Sequence, residues 1–228
     1  MAESCLLYYI TDRKALAEDE PSRHRRLLDK IAEAACAEVD YIQLREKDLT
    51  TRELESLAKE AARVLQQLRT ENRELRTALL INFRTDVAIA AGADGVHLRS
   101  DDISPHEVRA IWEKCGAGAP ARVSPRAPLI GVSCHSPEEV KKAAASGATF
   151  VVFAPVFEKK DTLNAHPVGL TPLREASKAK IPVMALGGVT LENAKSCLHA
   201  GAAGIAAIRL FQDSNIAETV AALRRNPL

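Results

Sequence analysis

The segments GADGVHL (residues 92–98), GATFVVF (147–153) and GAAGIAA (201–207) are three versions of one pattern, and AEVDYIQ (37–43) is a fourth. They recur roughly every 55 residues, and a fixed period of this kind marks a repeated supersecondary unit. Each copy opens where a helix is expected to end. In three of them that point is a glycine, the residue that most easily takes the left-handed backbone of a helix C-cap. An apolar, β-prone run follows at once.

A second series of apolar runs lies between these: LLYYIT (6–11), LLINFR (79–84), LIGVSC (129–134) and VMALGG (183–188). Each is continuous, as expected of a parallel strand covered on both faces. Interleaving the two series predicts eight strands. Helical patterns separate them, among them 51–68, 137–146 and 191–200. Strictly alternating strands and helices demand a parallel sheet. Eight evenly spaced units favour a closed sheet over an open, doubly wound one. The expectation is an α/β chain forming a single (βα)8 TIM barrel over residues 1–228, with no interdomain linker. The Gly-, Ala- and Pro-rich stretch 115–128 reads as a loop before the fifth strand.

Composition narrows the function. A formal net charge of +1 gives no support for a nucleic-acid partner, which needs a clustered basic surface. The local cluster Arg23, Arg25 and Arg26 falls at a helix start and reads as a solvated face. No apolar run is long enough to span a membrane, and residues 1–10 lack the features of a signal peptide. Five cysteines without C-x-x-C spacing suggest neither a zinc site nor a disulfide framework. A cytoplasmic compartment is expected. Nothing in the sequence decides between a monomer and a homo-oligomer.

Barrel active sites collect at the C-terminal ends of the strands. The residues that follow the apolar runs here are densely polar, and the opposite strand ends are not expected to be. Gly187 and Gly188 follow the seventh strand, where barrels commonly bind phosphate; two glycines let backbone N–H groups approach an anion. A helix begins near Thr190 and adds its positive end. The alternative is a tight turn without a ligand. Gln43, Arg45 and Lys47 point the same way if the second strand extends through them, and would suit an anion unless acidic neighbours pair with them. Lys159, Lys160 and Asp161 fall in a long loop after the sixth strand, either a lid or a solvated connection. His135 follows the fifth strand and is a candidate acid–base, or else a cap for the next helix. Cys134 is its nearest rival as proton carrier. His97 ends the fourth strand and reads equally as a satisfied core residue.

The ordered series YYITDR, YIQLREK, INxR, GADGVHL, GVSxHS, APVF, ALGG and GAAGIAA resembles the thiamine phosphate synthase and TenI family along nearly the whole chain. The resemblance implies a (βα)8 barrel of thiamine biosynthesis that binds a thiazole phosphate. The synthase joins a pyrimidine diphosphate to the thiazole phosphate and uses magnesium. The residues it implies for binding are Gln43, Arg45, Lys47, Asn82 and Ser133, with Asp102 as a metal ligand.

Several positions depart from the synthase pattern. Its Asn-Asp pair reads Asn82-Phe83 here, and a ring offers magnesium no oxygen. Its Gly-Gln reads Arg99-Ser100, and its Pro-Thr-x-Thr-Lys loop aligns with residues 158–162, leaving Lys159 or Lys160 as displaced substitutes. Arg209 replaces a serine and adds a possible phosphate contact. The expectation is therefore a TenI-like thiazole tautomerase, which needs no cofactor and moves a proton through His135. The alternatives are a divergent, magnesium-dependent synthase using Asp102 and a non-catalytic phosphate-binding relative.

Overall fold

The computed structural model describes residues 5–116, 127–158 and 167–225. Strands and helices alternate as β1 (Leu6–Ile10), α1 (Glu20–Cys36), β2 (Tyr41–Leu44), α2 (Thr51–Glu71), β3 (Ala78–Asn82), α3 (Thr85–Ala91), β4 (Gly95–Leu98) and α4 (Pro105–Gly116). They continue as β5 (Leu129–Cys134), α5 (Pro137–Ala145), β6 (Phe150–Phe153), α6 (Leu170–Ala176), β7 (Val183–Ala185), α7 (Leu191–His199) and β8 (Gly204–Ala207). A short α8 (Arg209–Gln212) and α9 (Ile216–Arg224) complete the described chain. Each strand pairs in parallel with the next and β8 pairs with β1, so the sheet closes as the expected (βα)8 barrel. Residues 159–166, which include Lys159 and Lys160, and most of the 115–128 loop lie outside the described residues.

The helices form for ordinary reasons. In α2 the Thr50 hydroxyl accepts the Glu53 N–H while the Glu53 carboxylate accepts the Thr50 N–H, a reciprocal cap on the first turn. Leu54, Leu57, Ala58, Ala61 and Leu65 then recur at helical spacing and are buried against the sheet. At the repeat glycines the backbone is left-handed, with φ of 68° at Gly92, 84° at Gly147 and 95° at Gly201. In the first copy Glu38 takes the same turn at φ 61°, a conformation uncommon for a residue with a side chain.

The repeat has a second physical content that the sequence reading missed. In three of the four copies the side chain just before the even strand reaches across to the preceding odd strand. Asp40 Oδ2 accepts the Leu7 N–H at 2.8 Å, Asp94 Oδ2 accepts the Leu79 N–H at 2.8 Å, and Thr149 Oγ1 accepts the Ile130 N–H at 3.0 Å. In the fourth copy that residue is Ala203, whose side chain has no acceptor to offer. The N-terminal strand ends are thus not free of polar groups, as had been expected; theirs hold the sheet.

Inside the barrel the strands interlock through large side chains. The Tyr41 and Phe150 rings stack at 4.9 Å, and Tyr8 meets Phe150 edge-on at 5.4 Å. Leu80, Val152, Met184 and Ala206 complete this inner cluster. Gly131 is required for space: a Cβ there would lie 2.7 Å from both His97 Nδ1 and the Phe150 ring. The larger apolar cluster lies between the strands and the helices.

Asp94 also accepts from Arg69 Nη2 at 2.7 Å, so its removal orphans a strand amide and leaves that guanidinium only the Thr77 carbonyl. Asp94→Ala is expected to cost about 1–3 kcal/mol in urea unfolding, and Asp94→Asn, which keeps an acceptor, clearly less. Wild-type stability for Asp94→Ala would refute the role given to these side chains.

Candidate active site

At the C-terminal mouth, inward-facing polar residues form two hydrogen-bonded groups. Gln43, 2% exposed, extends its Nε2 toward Asn82 Oδ1 at 3.5 Å. Tyr8, His97 and Ser133 form the other: the Tyr8 hydroxyl lies 3.1 Å from His97 Nδ1, and Ser133 Oγ lies 2.9 Å from His97 Nε2. His97 is therefore the satisfied core residue that was one of its two readings, but it also supports Ser133 from below. Burial, then the Arg45 charge, push its pKa down to about 3, against which Asp102 acts weakly.

β2 ends at Leu44, so Arg45 and Lys47 are not carried by the strand. Their course is set instead by a buried network that the sequence did not reveal. Glu46 is 5% exposed and accepts from the Thr11 hydroxyl at 2.6 Å and from the Arg13 backbone N–H. Arg13 in turn forks onto Asp48 at 2.7 and 3.0 Å and reaches Glu20 at 2.8 Å, which holds the Asp48 carboxyl well below its usual range. Thr11 Oγ1 accepts the Arg45 N–H at 3.0 Å. Arg45 and Lys47 themselves have no carboxylate partner among the described residues. The Arg45 guanidinium, partial burial and the Arg99 charge hold the Lys47 ammonium below its usual value. Three cations thus gather at the mouth.

The metal positions do not fit magnesium. Phe83 is 42% exposed and has a φ of 44°, a backbone better suited to Asn or Asp. The Arg99 guanidinium lies 5.6 Å from the centre of its ring. Asp102 is engaged by Arg99 at three points: the backbone N–H at 2.7 Å, Nη2 at 3.1 Å and Nε at 3.3 Å. No group of three metal-ligating side chains occurs among the described residues. The only carboxylate expected to hold a metal is thus turned to a guanidinium.

His135 continues the inward phase of Gly131 and Ser133, one residue beyond β5, and is exposed. Its Nδ1 lies 2.6 Å from the Ala154 carbonyl, which can only accept, so Nδ1 carries the hydrogen and Nε2 keeps its lone pair. The following helix is capped by Ser136, not by the His135 side chain. Cys134 faces the other way, into the strand–helix core, and burial pushes its thiol up to about 12; it is no rival.

Gly187 and Gly188 have φ values of 99° and 63°. A Cβ on Gly187 would come 2.7 Å from Pro155 Cα, and one on Gly188 would run into the Glu158 carbonyl. The pair is demanded first by the chain's own β6–α6 connection. Its amides nevertheless donate to no protein acceptor among the described residues. The short α8 directly after β8 opens with Arg209, which is exposed. Loops after the seventh and eighth strands with a short extra helix are the common phosphate site of such barrels.

A closed barrel with a polar mouth is the frame of a (βα)8 enzyme, a class whose sites collect at the strand C-termini. A family model described as thiamine monophosphate synthase matches residues 7–211, and the chain belongs to that family. It is thereby placed among the enzymes of thiamine biosynthesis. It is 40% identical over 206 residues to a putative thiamine-phosphate synthase 2 of Aquifex aeolicus, covering 90% of this chain and 96% of that one. It is 39% identical over 204 residues to a putative thiamine-phosphate synthase of Geobacter sulfurreducens, covering 89% and 84%. A thiamine phosphate pyrophosphorylase structure from Pyrococcus furiosus superposes with a TM-score of 0.74 at 29% identity, covering 98% and 96%. No helix among the described residues is long and apolar enough to cross a membrane.

The depressed His97 pKa has a consequence for stability. The unfolded chain binds a proton at this residue below its ordinary value of 6.5, while the folded chain resists until about 3. Its contribution is intact above 6.5 and is lost as pH falls between these limits. Between pH 7 and pH 5 the loss is about 2 kcal/mol. Urea unfolding of His97→Gln at both pH values is expected to lack that component. An equal pH dependence in variant and wild type would contradict it.

Proposed function

We propose that this barrel binds a thiazole phosphate and aromatises a carboxythiazole phosphate by moving a proton. The observation that carries this reading is the engagement of Asp102 by Arg99 beside Phe83, so that neither position offers a free carboxylate to the magnesium that a diphosphate substrate would bring. A proton shift needs neither metal nor diphosphate. His135, fixed through Nδ1, offers Nε2 to take a proton from one ring position and return it at another. The amides of Gly187 and Gly188, with Arg209, would hold the phosphate. Arg45 and Lys47, which have no carboxylate partner among the described residues, would meet the carboxylate of the substrate.

A second reading, the joining of a pyrimidine diphosphate to a thiazole phosphate, is favoured by the names of the relatives. Assaying both substrate sets with and without magnesium separates the two. Aromatisation indifferent to chelator is expected, with no thiamine phosphate formed; magnesium-dependent thiamine phosphate would replace this proposal with the synthase. His135→Asn is expected to slow aromatisation about 100- to 10,000-fold while leaving thiazole phosphate affinity within a few fold. An unchanged rate would remove His135 from the chemistry. Because Arg99 occupies Asp102, Phe83→Asp alone should not create magnesium binding, whereas Phe83→Asp with Arg99→Gly should. Calorimetric titration with magnesium reads both variants directly.

A further inference from the structure

Inside the barrel, Tyr8 is wholly buried, surrounded by the rings of Tyr41, Phe150 and His97. The one polar partner of its hydroxyl among the described residues is His97 Nδ1 at 3.1 Å. A phenol with a single nitrogen beside it satisfies its hydrogen by donating to that nitrogen. Nδ1 must then present its lone pair. In a neutral ring the hydrogen therefore sits on Nε2, which lies 2.9 Å from Ser133 Oγ and donates to it. The opposite tautomer would leave the phenol hydrogen buried and unpaired, which biases the equilibrium by about tenfold or more. Burial in the apolar interior keeps the ring neutral at physiological pH.

We propose that Tyr8 locks His97 as its Nε2–H tautomer, and that His97 thereby turns the Ser133 hydroxyl hydrogen away from itself and toward the ligand. Ser133 accepts from below and donates above. It selects for a hydrogen-bond acceptor on the bound heteroaromatic ring or its carboxylate, and against an N–H or O–H at that place. Tyr8 and His97 are positioning residues in this arrangement; neither needs to touch the ligand. That the ligand is a thiazole phosphate rests on the function proposed above, but the tautomer does not.

Two-bond 15N–1H correlation spectra of the whole protein read the tautomer directly, with the His97 signals assigned by their loss in His97→Gln. An unprotonated Nδ1 and a protonated Nε2, unchanged from pH 8 to pH 5, are expected. A hydrogen on Nδ1, or titration near pH 6.5, would overturn the lock. Tyr8→Phe should then give a mixture of tautomers and weaken thiazole phosphate binding about 3- to 10-fold. In a Ser133→Ala background the same change should cost nothing further, because the residue it acts through is gone. An equal loss in both backgrounds would overturn the positioning role. Absence of thiazole phosphate binding to the wild-type protein would overturn the ligand assignment, while the spectra still decide the lock.

Discussion

Closing eight parallel strands leaves the amides at the start of each odd strand facing a rim where helices offer them no partner. Buried unpaired donors are costly, so the fold depends on what the chain places there. Asp40, Asp94 and Thr149 are that provision, one for each of three successive strand pairs. Once the lower rim is held, the interior fills with Tyr8, Tyr41 and Phe150, and Gly131 makes room for them beside His97. The upper rim, outside the buried network of Thr11, Glu46, Arg13 and Asp48, can then carry chemistry. Lower-rim acceptors are spent on the backbone, and Arg45 and Lys47 on the upper rim have no carboxylate partner among the described residues.

The division between what the sequence disclosed and what it did not follows the same line. Strand positions were legible because parallel strands buried on both faces read as continuous apolar runs, and the repeat was legible because Gly92, Gly147 and Gly201 each take a left-handed turn. The place of His135 just beyond the fifth strand was legible for the same reason. Contacts between distant residues were hidden. The network of Arg13, Glu46 and Asp48 joins two loops more than thirty residues apart, and no local pattern announces it. Arg99 could be seen to replace a glycine, but not to take hold of Asp102. The condition that β2 extend through Lys47 is not met: the strand ends at Leu44, and the next amide, of Arg45, donates to the Thr11 hydroxyl.

Gly187 and Gly188 show why a motif needs its surroundings. Two glycines after a strand suggest a phosphate, yet here their missing side chains first admit the Pro155–Glu158 segment. A bulky replacement would therefore disturb the loop as well as the ligand, and loss of binding in such a variant would not by itself locate the phosphate. Their amides, which donate to no protein acceptor among the described residues, and the adjoining α8 bear on the ligand more directly. At the metal positions one carboxylate is missing and the other is engaged. A synthase-like carboxylate pair would attract a divalent cation; here Phe83 brings no charge and Arg99 pairs with Asp101 and Asp102.

The central claim is that this barrel binds a thiazole phosphate through its turn amides, with no metal at Asp102. A crystal structure of the protein soaked with thiazole phosphate and manganese, recorded with anomalous data, tests it most directly. The account predicts the phosphate at the amides of Gly187 and Gly188, the ring above Ser133 within reach of His135, the Arg99–Asp102 pair intact, and no anomalous peak at the mouth. Manganese bound to Asp102, or a phosphate seated on Arg45 and Lys47 with the turn amides left open, would contradict it.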